Sequence, residues 1–149
     1  MVSLSDRDEF YSDIKKEFKK QGKISKQVKG IRLLLMNSKG RIYLQKRSKF
    51  KKENAGLYDK TIGGHVAKDH TWDMTIIKEC AEELGFPASI LSDKEFNKAI
   101  TITDLSIIGI LKSIDRINNF QSIRITQKGE KFIQPWITNI YVGYYDGAI

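Results

Sequence analysis

The stretch GGHVAKDHTWDMTIIKECAEELGF, residues 63–86, decides how the chain folds. A glycine pair opens it and a glycine lies at its end. Thr71 suits an N-cap, Asp73 places a negative charge in the first turn, and Gly85 can take the left-handed conformation that stops a helix. The spacing predicts a helix over 72–84. At about 100° per residue, Met74, Ile76, Ile77, Cys80, Ala81 and Leu84 share one broad face, expected to be buried. Glu79, Glu82 and Glu83 gather on the other side, and the pairs 79/82 and 79/83 are neighbours on the helix surface.

Local physics opposes that crowding. Like charges at these spacings cost a few tenths of a kcal/mol per pair. Anions in the last turn oppose the helix dipole by roughly 0.3–1 kcal/mol each, and Lys78 offsets little of it. A divalent cation reverses the sign of every one of these contributions, and Mg²⁺ favours a few carboxylates together with water and phosphate oxygens. Three acids alone also read as a solvated helix face. The glycine turn at a fixed distance upstream is what favours a site.

Working outward, Pro87 enforces a break. Ser92 with Glu95 is a capping box for a short helix near 93–99. Upstream, 31–36 is an apolar run and 41–47 alternates, joined by Asn37-Ser38-Lys39-Gly40, a hairpin turn in which Gly40 takes positive φ. Residues 48–57 form a basic loop, and YDKTIGGHV is a short strand running into the glycine turn. LSIIGILKSI reads as a strand or strand pair. FIQPWITNIYVGYY alternates, with Trp136, Thr138, Ile140, Val142 and Tyr144 on one face and Pro135 suited to an edge or bulge. At the start, Phe10, Ile14 and Phe18 form the apolar stripe of a helix that ends near Gly22. The order of elements gives one α+β (mixed α/β) domain. Its parts are a helical extension over 1–24 and a main unit over 25–149.

Composition sets bounds. The chain has 149 residues, 40% apolar and 30% charged, enough to bury a core. No apolar run reaches membrane-span length, and the N-terminus lacks the basic-then-apolar order of a secretory leader. Cys80 is the single cysteine, so no internal disulfide can form and a cytoplasmic location is expected. The net charge of +8 favours anionic partners such as nucleotides, diphosphates, RNA or acidic lipids, although scattered lysines also serve solubility.

The residues then resemble the Nudix hydrolase signature. That signature reads Gly, five residues, Glu, seven residues, Arg-Glu, an apolar residue, any residue, Glu-Glu, any residue, Gly, apolar. Gly64 opens the pattern, and Glu79, Cys80, Glu82, Glu83, Gly85 and Phe86 fall in register. The resemblance implies an α/β/α sandwich around a mixed sheet. It implies Mg²⁺ or Mn²⁺ held by Glu79, Glu82, Glu83 and the main-chain carbonyl of Gly64, with Glu79 and Glu83 catalytic. It also implies water attack on a nucleoside diphosphate linked to another moiety, or on a related diphosphate. The base would be Glu79 or an acid on a later loop, such as Asp104 or Glu130.

Two positions depart from the pattern. His70 stands where the family has Glu and Lys78 where it has Arg, a pair that braces the loop against the helix. A non-catalytic binding domain and an RNA-binding or RNA-end-processing module therefore stand as alternatives. LQKRSKFKKENAGLYDKTIGGHV looks like the branch near isopentenyl-diphosphate isomerases. Those enzymes place a catalytic cysteine on a strand, whereas Cys80 lies inside the helix, so isomerase activity is not expected. Lys46, Arg47 and His65 are the expected substrate contacts. The chain stops at GYYDGAI, where the family usually continues into a further strand and helix. The expectation is a shortened C-terminal part whose bare apolar face a homodimer would cover.

Overall fold

The computed structural model describes residues 4–21 and 28–149. Helix α1 runs Leu4–Gln21, followed by strands β1 (Val28–Met36), β2 (Ile42–Tyr43), β3 (Gln45–Lys46), β4 (Tyr58–Asp59) and β5 (Ile62–His65). Helix α2 (Trp72–Glu79) continues into a π-helical turn over Cys80–Leu84. Then come β6 (Ala88–Ile90), α3 (Asp93–Ile102), β7 (Gly109–Ile125) and β8 (Lys131–Tyr144). The side chains of Phe10 and Ile14, Gly22, and the expected boundary between 24 and 25 lie outside the described residues. Among the described residues no helix is long and apolar enough to cross a membrane.

The main sheet is mixed, in the order β2-β1-β8-β7-β6, with β5 also on β1 and β3-β4 forming a separate ribbon. β1 and β8 run parallel, as do β6 and β7, while β7 and β8 make a long antiparallel hairpin. Alternation sorts the side chains onto two faces. Ile31, Leu33 and Leu35 of β1 join Ile62, Ile76, Cys80, Phe86, Leu111 and Tyr141 under α2. On the opposite face α3 covers Ile110 and Tyr144 with Phe96. There α1 reaches β8 through Phe18, whose ring lies edge-on to Phe132 at 6.3 Å. Helices on both faces of a mixed sheet make the α/β/α sandwich.

Several local expectations hold. Thr71 caps α2 by accepting the Met74 N–H at 3.1 Å, Gly85 is left-handed at φ 75°, and Gly40 has φ 82°. Ser92 and Glu95 form the capping box, although α3 extends to Ile102. Pro135 pairs with Gln121 on the β7 side, one residue before the first described β1 partner at Trp136.

The buried face of α2 differs from the expected one. Met74 is 52% and Ile77 39% exposed, and Ala81 faces solvent. The core takes a narrower stripe, Trp72, Ile76 and Cys80, spaced four residues apart. From Cys80 the π turn alters the angular step, so a constant 100° per residue misplaces the last turn of the helix. Glu79 is half-buried on the flank of that stripe, while Glu82 and Glu83 are exposed.

Candidate active site

The helix start is anchored on the sheet. The Tyr141 hydroxyl on β8 donates to Asp73 at 2.7 Å, and burial with this bond holds the phenol above its ordinary range. The loop before it carries local backbone contacts of its own. The His70 N–H donates to the Ala67 carbonyl at 3.0 Å, and Thr71 closes the helix cap. Lys78 reaches along the helix to Glu82 at 3.9 Å.

At the other end of α2, Glu79 lies against Gly64. A Cβ on Gly64 would sit 3.3 Å from the Glu79 carboxyl, so glycine lets the acid approach the β5 backbone. Burial raises the Glu79 carboxyl from 4.5 to about 7, reinforced by a hydrogen bond to Glu83 and by the charges of Glu83 and Glu82. The structure therefore sets Glu79 beside Glu83 and leaves Glu82 exposed beside Lys78. Among the described residues, no three acidic, histidine or cysteine side chains are gathered so as to hold a metal ion by themselves. The carboxylates that are present are hard ligands of the kind Mg²⁺ or Mn²⁺ takes while keeping water. Cys80 is buried and its thiol is pushed up to about 12, chiefly by burial, which leaves it unreactive.

Among the described residues β5 pairs with β1 alone, and its other edge carries no strand. Around that edge, on the face away from α2, lies a cavity of about 930 Å³ lined by Gly63, Gly64, His65 and Glu83 among others. Its floor is Trp136 and Thr138 on β8, with Arg32 on β1. Gly30 allows this, because a Cβ there would collide with the Trp136 ring. His65 lies against the same ring, centroids 4.8 Å apart. Lys15 of α1 and the loop of residues 48–57 close the sides.

That loop is stitched to the β7–β8 hairpin. Asn54, at φ 51°, donates its N–H to the Ile125 carbonyl at 2.9 Å and accepts the Ile125 N–H at 3.0 Å. Gln127 donates to the Lys51 carbonyl at 3.1 Å. Arg47 enters the lining but acts first as a pin, donating to the Glu53 carbonyl at 3.1 and 3.2 Å and to Asp59 at 3.4 Å. Lys46 is exposed, its amine 5.6 Å from the Tyr58 ring, and is outside the lining. Asp104 is turned into the loop after α3, accepting from Ser106 at 2.5 and 3.0 Å. Glu130 pairs with Lys19 at 3.3 Å. Neither acid lines the cavity.

Sequence reasoning missed Arg32, Lys60, Arg124, Trp136 and Thr138 as cavity residues. One signal was available: Arg32 is a lone charge inside the apolar run Ile31–Met36.

Residues 26–141 match the family model for the NUDIX domain. No curated protein sequence matches the chain. Among solved structures, the MutT protein from Methanosarcina mazei Go1 is similar at 18% identity, covering 85% of this chain and 70% of that one, with a TM-score of 0.49. At that score the superposition adds no argument of its own. The family match spans most of the chain and includes the glycine turn, α2 and the glutamates, so the chain belongs to the Nudix family of hydrolases that act on pyrophosphate bonds.

Proposed function

We propose that the protein is a Mg²⁺- or Mn²⁺-dependent pyrophosphohydrolase. Its substrate is a nucleoside diphosphate linked to another moiety, or a related diphosphate. The observation that carries this reading is the half-buried Glu79, paired with Glu83 and pressed against the backbone of Gly64 at the edge of a cationic cavity. Glu79, Glu82, Glu83 and the Gly64 carbonyl oxygen would hold the ion. When bound, a divalent cation offsets diphosphate charge and makes coordinated water a better nucleophile.

The chain's own groups do the rest. Glu79, already able to hold a proton near neutral pH, is the base favoured over Asp104 and Glu130, which are engaged elsewhere. Glu83 bridges the carboxylate pair and the cavity lining. Arg47 and His65 contact the substrate from the cavity wall. The self-supported loop at 67–71 and the Thr71 cap replace the brace that His70 and Lys78 cannot make, which supports catalysis over mere binding. A lone buried cysteine suits a reducing compartment, and we place the protein in the cytoplasm.

The test is release of nucleoside monophosphate from a panel of diphosphate-linked nucleotides with Mg²⁺ or Mn²⁺, for wild type and Glu83→Gln. Cleavage lost in the variant supports the reading. A wild type as inert as the variant across the panel makes the domain a binder.

A further inference from the structure

The cavity holds more positive charge than the scissile diphosphate explains. Seven lysine or arginine side chains line it against three carboxylates. All three carboxylates are engaged. Glu53 pairs with Lys15 at 2.8 Å, Glu83 is hydrogen-bonded to Glu79, and Asp59 is taken by Lys60 at 2.9 Å and Arg47 at 3.4 Å. Arg32 and Arg124 make no salt bridge among the described residues, although Asp59 is near enough to Arg32 to offset part of its charge. Both guanidiniums are positioned by aromatic rings, Arg32 over Phe120 at 4.2 Å and Arg124 over Trp136 at 5.8 Å.

Buried donors lie beneath these cations. Arg124 Nε, the Trp136 indole nitrogen and the Thr138 hydroxyl are buried and have no hydrogen-bond partner among the described residues. Trp136 is 7% and Thr138 0% exposed. Two of these atoms can only donate, and the hydroxyl can donate. None of the three opens onto the cavity, so it is the excess of guanidinium and ammonium groups in the lining that selects an acceptor-rich anion and rejects amines. Like-charge crowding agrees: burial and then Arg124 lower Arg32, while burial leads in lowering Lys60, with Arg32 and Arg124 adding to it.

We propose that Arg32, Lys60 and Arg124 bind a second phosphate-class oxyanion of the substrate, remote from the diphosphate that is cleaved. The role as a substrate group rests on the hydrolase reading above; the anion site itself does not. The site then discriminates among diphosphate-linked nucleotides by a phosphate that takes no part in the reaction.

Two matched pairs test this, NADPH against NADH and coenzyme A against dephospho-coenzyme A, each differing by one remote phosphate. Binding is read by calorimetry in EDTA, where no hydrolysis occurs. The expected result is at least about tenfold tighter binding of the phosphorylated member of one pair. In Arg124→Gln the ratio falls toward one, and Arg124→Lys keeps part of it. Equal binding within both pairs, or no binding of any of the four, overturns the proposal. Inorganic phosphate titrated alone is the third arm. If it occupies the site while the pairs do not differ, the occupant is free phosphate and the substrate assignment falls. Preferential binding by a protein that cleaves nothing in the nucleotide panel under Mg²⁺ sinks the hydrolase reading and leaves the anion site standing.

Discussion

On one side of β5, burial and the neighbouring glutamates push Glu79 up to about 7. On the other, burial and like charge push Arg32 and Lys60 down. Both regions crowd like charges, with opposite sign, around one edge strand built from Gly63 and Gly64. A cation alone relieves the first and an anion alone relieves the second. A substrate carrying a metal-bound diphosphate and a second, remote phosphate would relieve both at once, and the strand between the two regions carries no side chain at two positions. The frustration of each face is thus an instruction about what the other must bind.

The sharpest way to break this contrast is Glu83→Gln, which removes the charge that reaches both regions. Hydrolysis is expected to fall by about 10²-fold or more with the fold retained, as circular dichroism would show. A variant that cleaves at the wild-type rate would mean the acidic face is only a solvated surface. Gly64→Ala comes next. Its methyl group presses on the Glu79 carboxyl at 3.3 Å, so kcat should drop about tenfold. In Gly63→Ala the methyl group meets the flexible end of Lys60, which can move aside, and the loss should be smaller.

A subtler effect is the pH dependence of stability without metal. Glu79 has a folded-state pKa of about 7 against 4.5 when unfolded, so the folded state favours the protonated form. The unfolded state releases that proton first as pH rises. Metal-free protein should therefore lose stability from about pH 4.5 up through about 7, where the trend levels off. Melting in EDTA against pH would show it, and Mg²⁺ should flatten or reverse the slope. The smallest effect belongs to Lys78→Ala, because an exposed pair 3.9 Å apart contributes little. The melting temperature should move by no more than about a degree or two. A larger shift would make Lys78 a brace after all.

The parts of the molecule legible from sequence are those that local chemistry decides. Thr71, Gly85, Gly40 and the Ser92–Glu95 box each satisfy backbone groups within a few residues, and each lies where expected. The helix face is less legible. Met74 and Ile77 read as core, yet which side of α2 meets the sheet depends on strands far away in the chain, and the π turn is invisible to a fixed period. Most of β7 escapes a sequence reading for a similar reason. Asp115–Arg124 is polar enough to pass for a loop and is held as strand by β8, across two register shifts. The cavity residues come from β1, β8, β7 and the β4–β5 link, so no spacing along the chain connects them.

The stitching of the loop over residues 48–57 to the hairpin has one further consequence. The amides of Asn54 and Ile125 are tied across the gap immediately beside Arg124. Anything lodged against that guanidinium must slow the local opening that exposes them to solvent. Deuterium uptake at these two amides is therefore a built-in occupancy gauge, readable with neither turnover nor a label.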